Sequence, residues 1–118
     1  MMTAPYEPTA TELELLALID MPATNTEAMA AVHMLDIPTV RQKVAAFMSP
    51  GAIRFDDLLD SWPCSTGERT VIRAAAALWD GANPVNLGDL IADLDDVIFA
   101  RLLDAIRLRR PSPRPVSR

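Results

Sequence analysis

Cys64 is the residue whose type and placement most invite covalent chemistry. It directly precedes a helix-start signal, where the helix dipole and free N–H groups can lower a thiol pKa. The stretch Ser65-Thr66-Gly67-Glu68-Arg69 that follows has the parts of a phosphate-handling loop: a thiolate, hydroxyls, a glycine and a guanidinium. Only four residues separate Cys64 from Arg69, one fewer than such a loop takes. The single histidine, His33, lies in another segment. A nucleophilic cysteine needs an adjacent base and an orienting group, and no neighbour of Cys64 supplies them. The expectation is a loop cysteine beside a capping box, with a reactive thiol as the alternative.

The remaining titratable groups read more simply. His33 follows Met29 by four positions, so it borders an apolar helix face and is expected half-buried or at the surface rather than as a ligand or base. Asp56, Asp57 and Asp60, and again Asp93, Asp95 and Asp96, have the residue type for acid–base work. At helix starts such carboxylates cap free N–H groups and complement the dipole. One cysteine and one histidine cannot build a zinc site. No catalytic residue, metal site or cofactor is expected.

Charge divides the chain. Of 11 basic and 16 acidic residues, five arginines (Arg107, Arg109, Arg110, Arg114 and Arg118) follow the last acid, Asp104. Up to residue 106 the balance is 6 basic against 16 acidic, a net of −10, followed by a +5 tail. An acidic body repels phosphate backbones, so nucleic acid is reachable only through that tail. Arg107, Arg109 and Arg110 also suit the negative end of a helix dipole; Arg114 and Arg118 have no such use.

These side chains must be carried by helices. At 118 residues the chain has the size of one domain; half its residues are hydrophobic and only 5% aromatic, a palette of Ala, Leu, Ile, Val and Met that favours helix. The lone cysteine and the lack of a basic-then-apolar leader at the N-terminus point to the cytoplasm, and no apolar run approaches membrane-spanning length. Residues 1–8 read as a loose opening. Thr9-x-x-Glu12 and Thr11-x-x-Glu14 are overlapping capping boxes for a helix with Leu13, Leu16 and Ile19 on one face, stopped by Asp20-Met21-Pro22. Thr24-x-x-Glu27 opens a second helix to Leu35. Pro38 suits the first turn of a third, striped by Val40, Val44, Phe47 and Met48 and closed by Ser49-Pro50-Gly51.

The second half is more strongly patterned. Asp56 caps a brief helix with Leu58, Leu59 and Trp62, and Ser65-x-x-Glu68 starts a longer one to Asp80, with Gly81 as a left-handed cap. The Ala74–Ala77 run permits close approach of another helix, inside the domain or on a partner. Asp95 and Asp96 begin the last helix, whose buried stripe is expected to be Phe99, Leu102, Leu103 and Ile106. Residues 111–118 read as a disordered Pro/Ser/Arg tail, leaving 9–110 as a single helical domain.

Two segments echo one another. Ile53-Arg54-Phe55 and Val85-Asn86-Leu87 each place an apolar–polar–apolar triplet after a helix-ending turn, with Asp57-Leu58-Leu59 or Asp89-Leu90-Ile91 following. Two helix–loop–helix units result, and the triplets are expected to pair as a short antiparallel β-bridge. Residues 46–94 thereby resemble a degenerate pair of EF-hands. The resemblance puts the first three ligand positions at Ala46, Met48 and Pro50 and at Leu78, Asp80 and Ala82, leaving only Asp57 and Asp89 as closing acids. Calcium needs six to eight oxygens, so the resemblance implies no calcium. Separately, Ser65-Thr-Gly-Glu-Arg69, Leu78-Trp79-Asp-Gly81 and Leu94-Asp-Asp-x-x-Phe99-Ala-Arg-Leu-Leu-Asp-Ala105 resemble small helical proteins of actinobacteria and their phages, which implies no activity.

The expectation is thus an all-α, non-catalytic interaction or regulatory protein acting through a helical surface. Its partner is another protein or a second copy of the chain, a homodimer that no heptad repeat specifies. Nucleic-acid contact through the arginine tail is the alternative from a different class, and no membrane is involved.

Overall fold

The computed structural model describes residues 6–61 and 65–110. Helix α1 (Ala10–Leu18) starts at Thr9, whose hydroxyl accepts from the Glu12 N–H while the Glu12 carboxylate accepts from the Thr9 N–H. Of the two overlapping boxes the chain therefore uses the first. The helix ends in a Schellman arrangement: Met21 N–H donates to the Leu16 carbonyl and Asp20 N–H to that of Ala17. Asp20 takes the left-handed conformation this requires, at φ 52°, which Asp tolerates better than most residues.

Helix α2 (Thr26–Leu35) is capped by Asn25, whose side chain accepts from the Ala28 N–H, not by Thr24 as expected. Residues 28–35 are all buried. A helix apolar on every side belongs at the centre of its domain, and α2 packs chiefly against α5 and α7, with α1 and α3 on its flanks. Helix α3 (Pro38–Val44) carries Pro38 in its first turn.

The expected continuation of α3 to Met48 does not form. A 3-10 turn (Ala45–Phe47) leads instead into strands β1 (Met48–Ser49) and β2 (Ala52–Ile53), antiparallel with Met48 opposite Ile53 and Ser49 opposite Ala52. The expected bridge between 53–55 and 85–87 is therefore corrected. Pro50-Gly51 closes a local hairpin, with Gly51 at φ 77°, and a short loop costs less closure entropy than a distant pairing. The Gly51 N–H also donates to the Ile19 carbonyl at the end of α1, 2.8 Å away. The second triplet is consumed differently: Asn86 caps α6 (Leu87–Asp93) through the Asp89 N–H.

Helix α4 (Phe55–Ser61) starts one residue before Asp56, which sits in its first turn. Helix α5 (Thr66–Trp79) has the expected Ser65–Glu68 capping box. It ends on Asp80 in extended backbone; Gly81 is not left-handed, against expectation. Buried Ala74, Ala75 and Ala76 of α5 and Ala28, Ala30 and Ala31 of α2 let those two helices approach closely, so the alanine run is spent inside the domain. Helix α7 (Asp96–Arg109) is capped by Asp95 through the Ile98 N–H. Among the described residues, seven α-helices and one two-stranded hairpin make an all-α fold. No helix among the described residues is long and apolar enough to cross a membrane.

The two turn glycines separate by experiment. Gly51→Ala places a Cβ on a left-handed backbone and should lower unfolding free energy by about 1 kcal/mol or more. Gly81→Ala meets no atom within 4 Å and should change it by less than about 0.5 kcal/mol. Urea denaturation of the two variants measures both.

Candidate interaction face and buried polar network

Glu12 is the least expected residue of the core, because a carboxylate at the third position of a capping box ordinarily lies in solvent. Here it is 0% exposed, closed over by α2 and α7. Its Oε2 lies 2.6 Å from His33 Nδ1, and its Oε1 accepts from the Tyr6 hydroxyl at 2.7 Å and from the Thr9 N–H at 2.9 Å. Burial alone pushes the carboxyl pKa up. The donors from His33, Thr9 and Tyr6 outweigh that and hold it at about 2, below its ordinary 4.5. Glu12 is therefore an ionised carboxylate with several donors, which is what a buried charge requires.

His33, 7% exposed, is buried rather than half-buried or at the surface. The helix that carries it is central, so no face of α2 reaches solvent there. The carboxylate against Nδ1 places a proton on that nitrogen. The Tyr6 ring meets the imidazole edge-on, centroids 5.6 Å apart, and burial beside Glu12 raises the Tyr6 phenol to about 12.

Asp36, just past α2, extends the network. It accepts from Thr11 Oγ1 at 2.8 Å and Arg41 Nη1 at 2.7 Å, and Arg101 Nη2 lies 3.6 Å away. Arg101 of α7 donates through Nε to the His33 carbonyl at 2.7 Å, one of the last-turn carbonyls of α2 that lack a helical partner. Two turns on, Arg109 Nε donates to the Leu78 carbonyl at 2.8 Å, in the last turn of α5. Two arginines of one helix thus close the C-terminal ends of two others.

Reactivity does not follow from this cluster. His33 Nε2 is buried without a hydrogen-bond partner among the described residues, so both ring nitrogens are closed off from solvent. Surface pockets lie elsewhere: one of about 450 Å³ beside Thr70, Arg73 and Asp89, and others of about 390 Å³ beside Asp56 and Asp57 and beside Met21, Glu27 and Arg109. Asp93 accepts from Thr70 Oγ1 at 2.8 Å. Among the described residues no group of three His, Cys, Asp or Glu side chains is placed to hold a metal ion.

The arginines singled out from sequence are not brought together as a site. Arg107 bonds Asp104 at 3.2 Å on the surface, Arg109 is spent on Leu78, and Arg110 is exposed at the end of α7. Cys64, Arg114 and Arg118 lie outside the described residues, as does Trp62.

What the surface does offer is apolar. On α6, Leu87 is 68% and Ile91 62% exposed, one turn apart on one face, and Val97 in the first turn of α7 is 80% exposed. Leu90 and Leu94 are the side chains that α6 and its C-terminal end bury. Of the expected stripe of α7, Leu102 is buried and Phe99 partly so, but Leu103 and Ile106 are exposed and Ala105 is buried in their place. The helix is turned so that Arg101 and Arg109 reach their carbonyls.

Because the folded-state pKa of Glu12 is depressed from 4.5 to about 2, its contribution is complete above the unfolded value and is lost as pH falls through the folded one. That loss should amount to about 3 kcal/mol between those limits. Urea denaturation across the acid range measures it, and Glu12→Gln should lower stability near neutrality while flattening that slope. The chain matches no protein-family model, no curated protein and no solved structure.

Proposed function

We propose that this protein is a small, non-catalytic interaction or regulatory protein of the cytoplasm, binding another protein through its helical surface. The observation that carries this reading is the aliphatic face of α6, where Leu87 and Ile91 leave most of their surface in water, as Val97 does in the first turn of α7. Covering one such side chain gains about 1.5–3 kcal/mol, so a complementary partner surface has several to gain. Scattered single exposures are ordinary; a pair one turn apart on a short helix is a presented face.

The competing readings find less support. Nucleic-acid binding by the Arg107–Arg118 segment loses Arg109 to the Leu78 carbonyl and faces an acidic body. A thiol mechanism at Cys64 would need a base, and the only imidazole is committed to Glu12.

The test is a paired substitution, Leu87→Asp with Ile91→Asp. Unfolding free energy should change by less than about 1 kcal/mol, because neither side chain is part of the core. Partner capture by the immobilised protein from native cell extract should fall at least tenfold, about 1.4 kcal/mol of binding. Undiminished capture by the variant would remove the α6 face as the binding surface.

A further inference from the structure

The outward side of α7 is patterned as a pair with itself. At 100° per residue, Asp96, Phe99, Ala100, Leu103, Ile106, Arg107 and Arg110 fall along one side of the helix. Leu103 is 41% and Ile106 44% exposed, and Asp96, Ala100 and Arg110 are exposed as well. The opposite side is committed to the domain through Arg101, Leu102, Ala105 and Arg109. The free stripe therefore has acid at its start, apolar side chains in its middle and bases toward its end, of which Arg107 is paired with Asp104 of its own helix. Neither Asp96 nor Arg110 makes an ion pair among the described residues.

We propose that a second copy of this chain docks on this stripe, antiparallel, about a two-fold axis through Leu103. Rotation about that axis places Leu103 against its own counterpart and Ala100 opposite Ile106 of the second copy, where the small alanine lets the axes approach. It sets Asp96 of each copy opposite Arg110 of the other, so both ends close with opposite charges. This is the self-complementarity that an isologous interface demands, and antiparallel helix dipoles add to it. In a parallel pairing like charges would meet at both ends. A contact about 21 Å long on one helix is small beside a standard interface, so the dimer is weak and concentration-dependent. The inference rests on the interaction reading only in using a helical surface, and it concerns a different helix from the α6 face.

Sedimentation of the full chain from low micromolar to millimolar concentration tests it. The apparent mass should rise from 12.9 kDa toward twice that value, less steeply at high salt. Leu103→Glu and Leu103→Lys should both abolish the rise, since each sets like charges on the axis. Asp96→Arg and Arg110→Asp should each weaken association about tenfold or more, and the double exchange should restore it to within about threefold of the parent. Melting curves confirm that each variant is folded, and the Leu103 and Arg110 variants leave the N-terminal cap of α7 at Asp95 untouched. A mass of 12.9 kDa at every concentration overturns the proposal. So does a dimer indifferent to both Leu103 variants, or a double exchange no better than the single ones. Any of these with α6-dependent partner capture intact removes the dimer and leaves the proposed function standing.

Discussion

An ionised carboxylate inside a protein must be surrounded by donors, and Glu12 draws its donors from separate parts of the chain. Its own capping box supplies the Thr9 N–H, the segment before α1 supplies the Tyr6 hydroxyl, and α2 supplies the His33 imidazole. Arg101 of α7 stands 4.0 Å from the same carboxylate. Removing one donor would leave the charge buried and under-solvated, a loss far larger than one surface hydrogen bond is worth. The relative placement of α1, α2 and α7 follows from this need as much as from apolar packing.

The same constraint sets the rotation of α7. By hydrophobicity alone its buried face would run through Phe99, Leu102, Leu103 and Ile106. The helix keeps Leu102 inward as expected, sets Ala105 beside it rather than Leu103 and Ile106, and aims Arg101 and Arg109 at the carbonyl ends of α2 and α5. A buried carbonyl without a partner costs on the order of 1–3 kcal/mol. Satisfying two of them offsets the partial exposure of two aliphatic side chains, each of which keeps more than half its surface covered.

What was legible in the sequence follows this division between local and long-range causes. The Thr9–Glu12 and Ser65–Glu68 boxes, Pro38 in a first turn and Asp95 as a cap involve neighbours three or four residues apart, and each stands as read. Elements decided by distant partners were not legible. Pro50-Gly51 carries a turn signature that makes a hairpin, yet the apolar stripe through Phe47 and Met48 argued equally for helix. His33 looked peripheral because its partner Glu12 is 21 residues away and belongs to a capping box. That α2 lies at the centre was readable in principle, since Ala28–Leu35 has scarcely any polar face. Asn25 prevailed over Thr24 because the cap must sit three residues before the N–H it serves, and the helix starts at Thr26.

The arginine-rich end of the chain shows why charge counts alone misdirect a reading of function. A run of bases after the last acid suggests a phosphate-binding tail, but each side chain answers to its own geometry. Arg109 points into the domain and ends on a carbonyl, Arg107 folds back one turn onto Asp104, and Arg110 stands free beyond the helix. Only the last retains a charge without a described partner, and it lies on the side of α7 that also carries Leu103 and Ile106. Packing Arg101 and Arg109 against α2 and α5 is thus what leaves an apolar stripe facing outward, with Arg110 as its base not paired within the helix. The surface α7 presents is a consequence of the interior it closes.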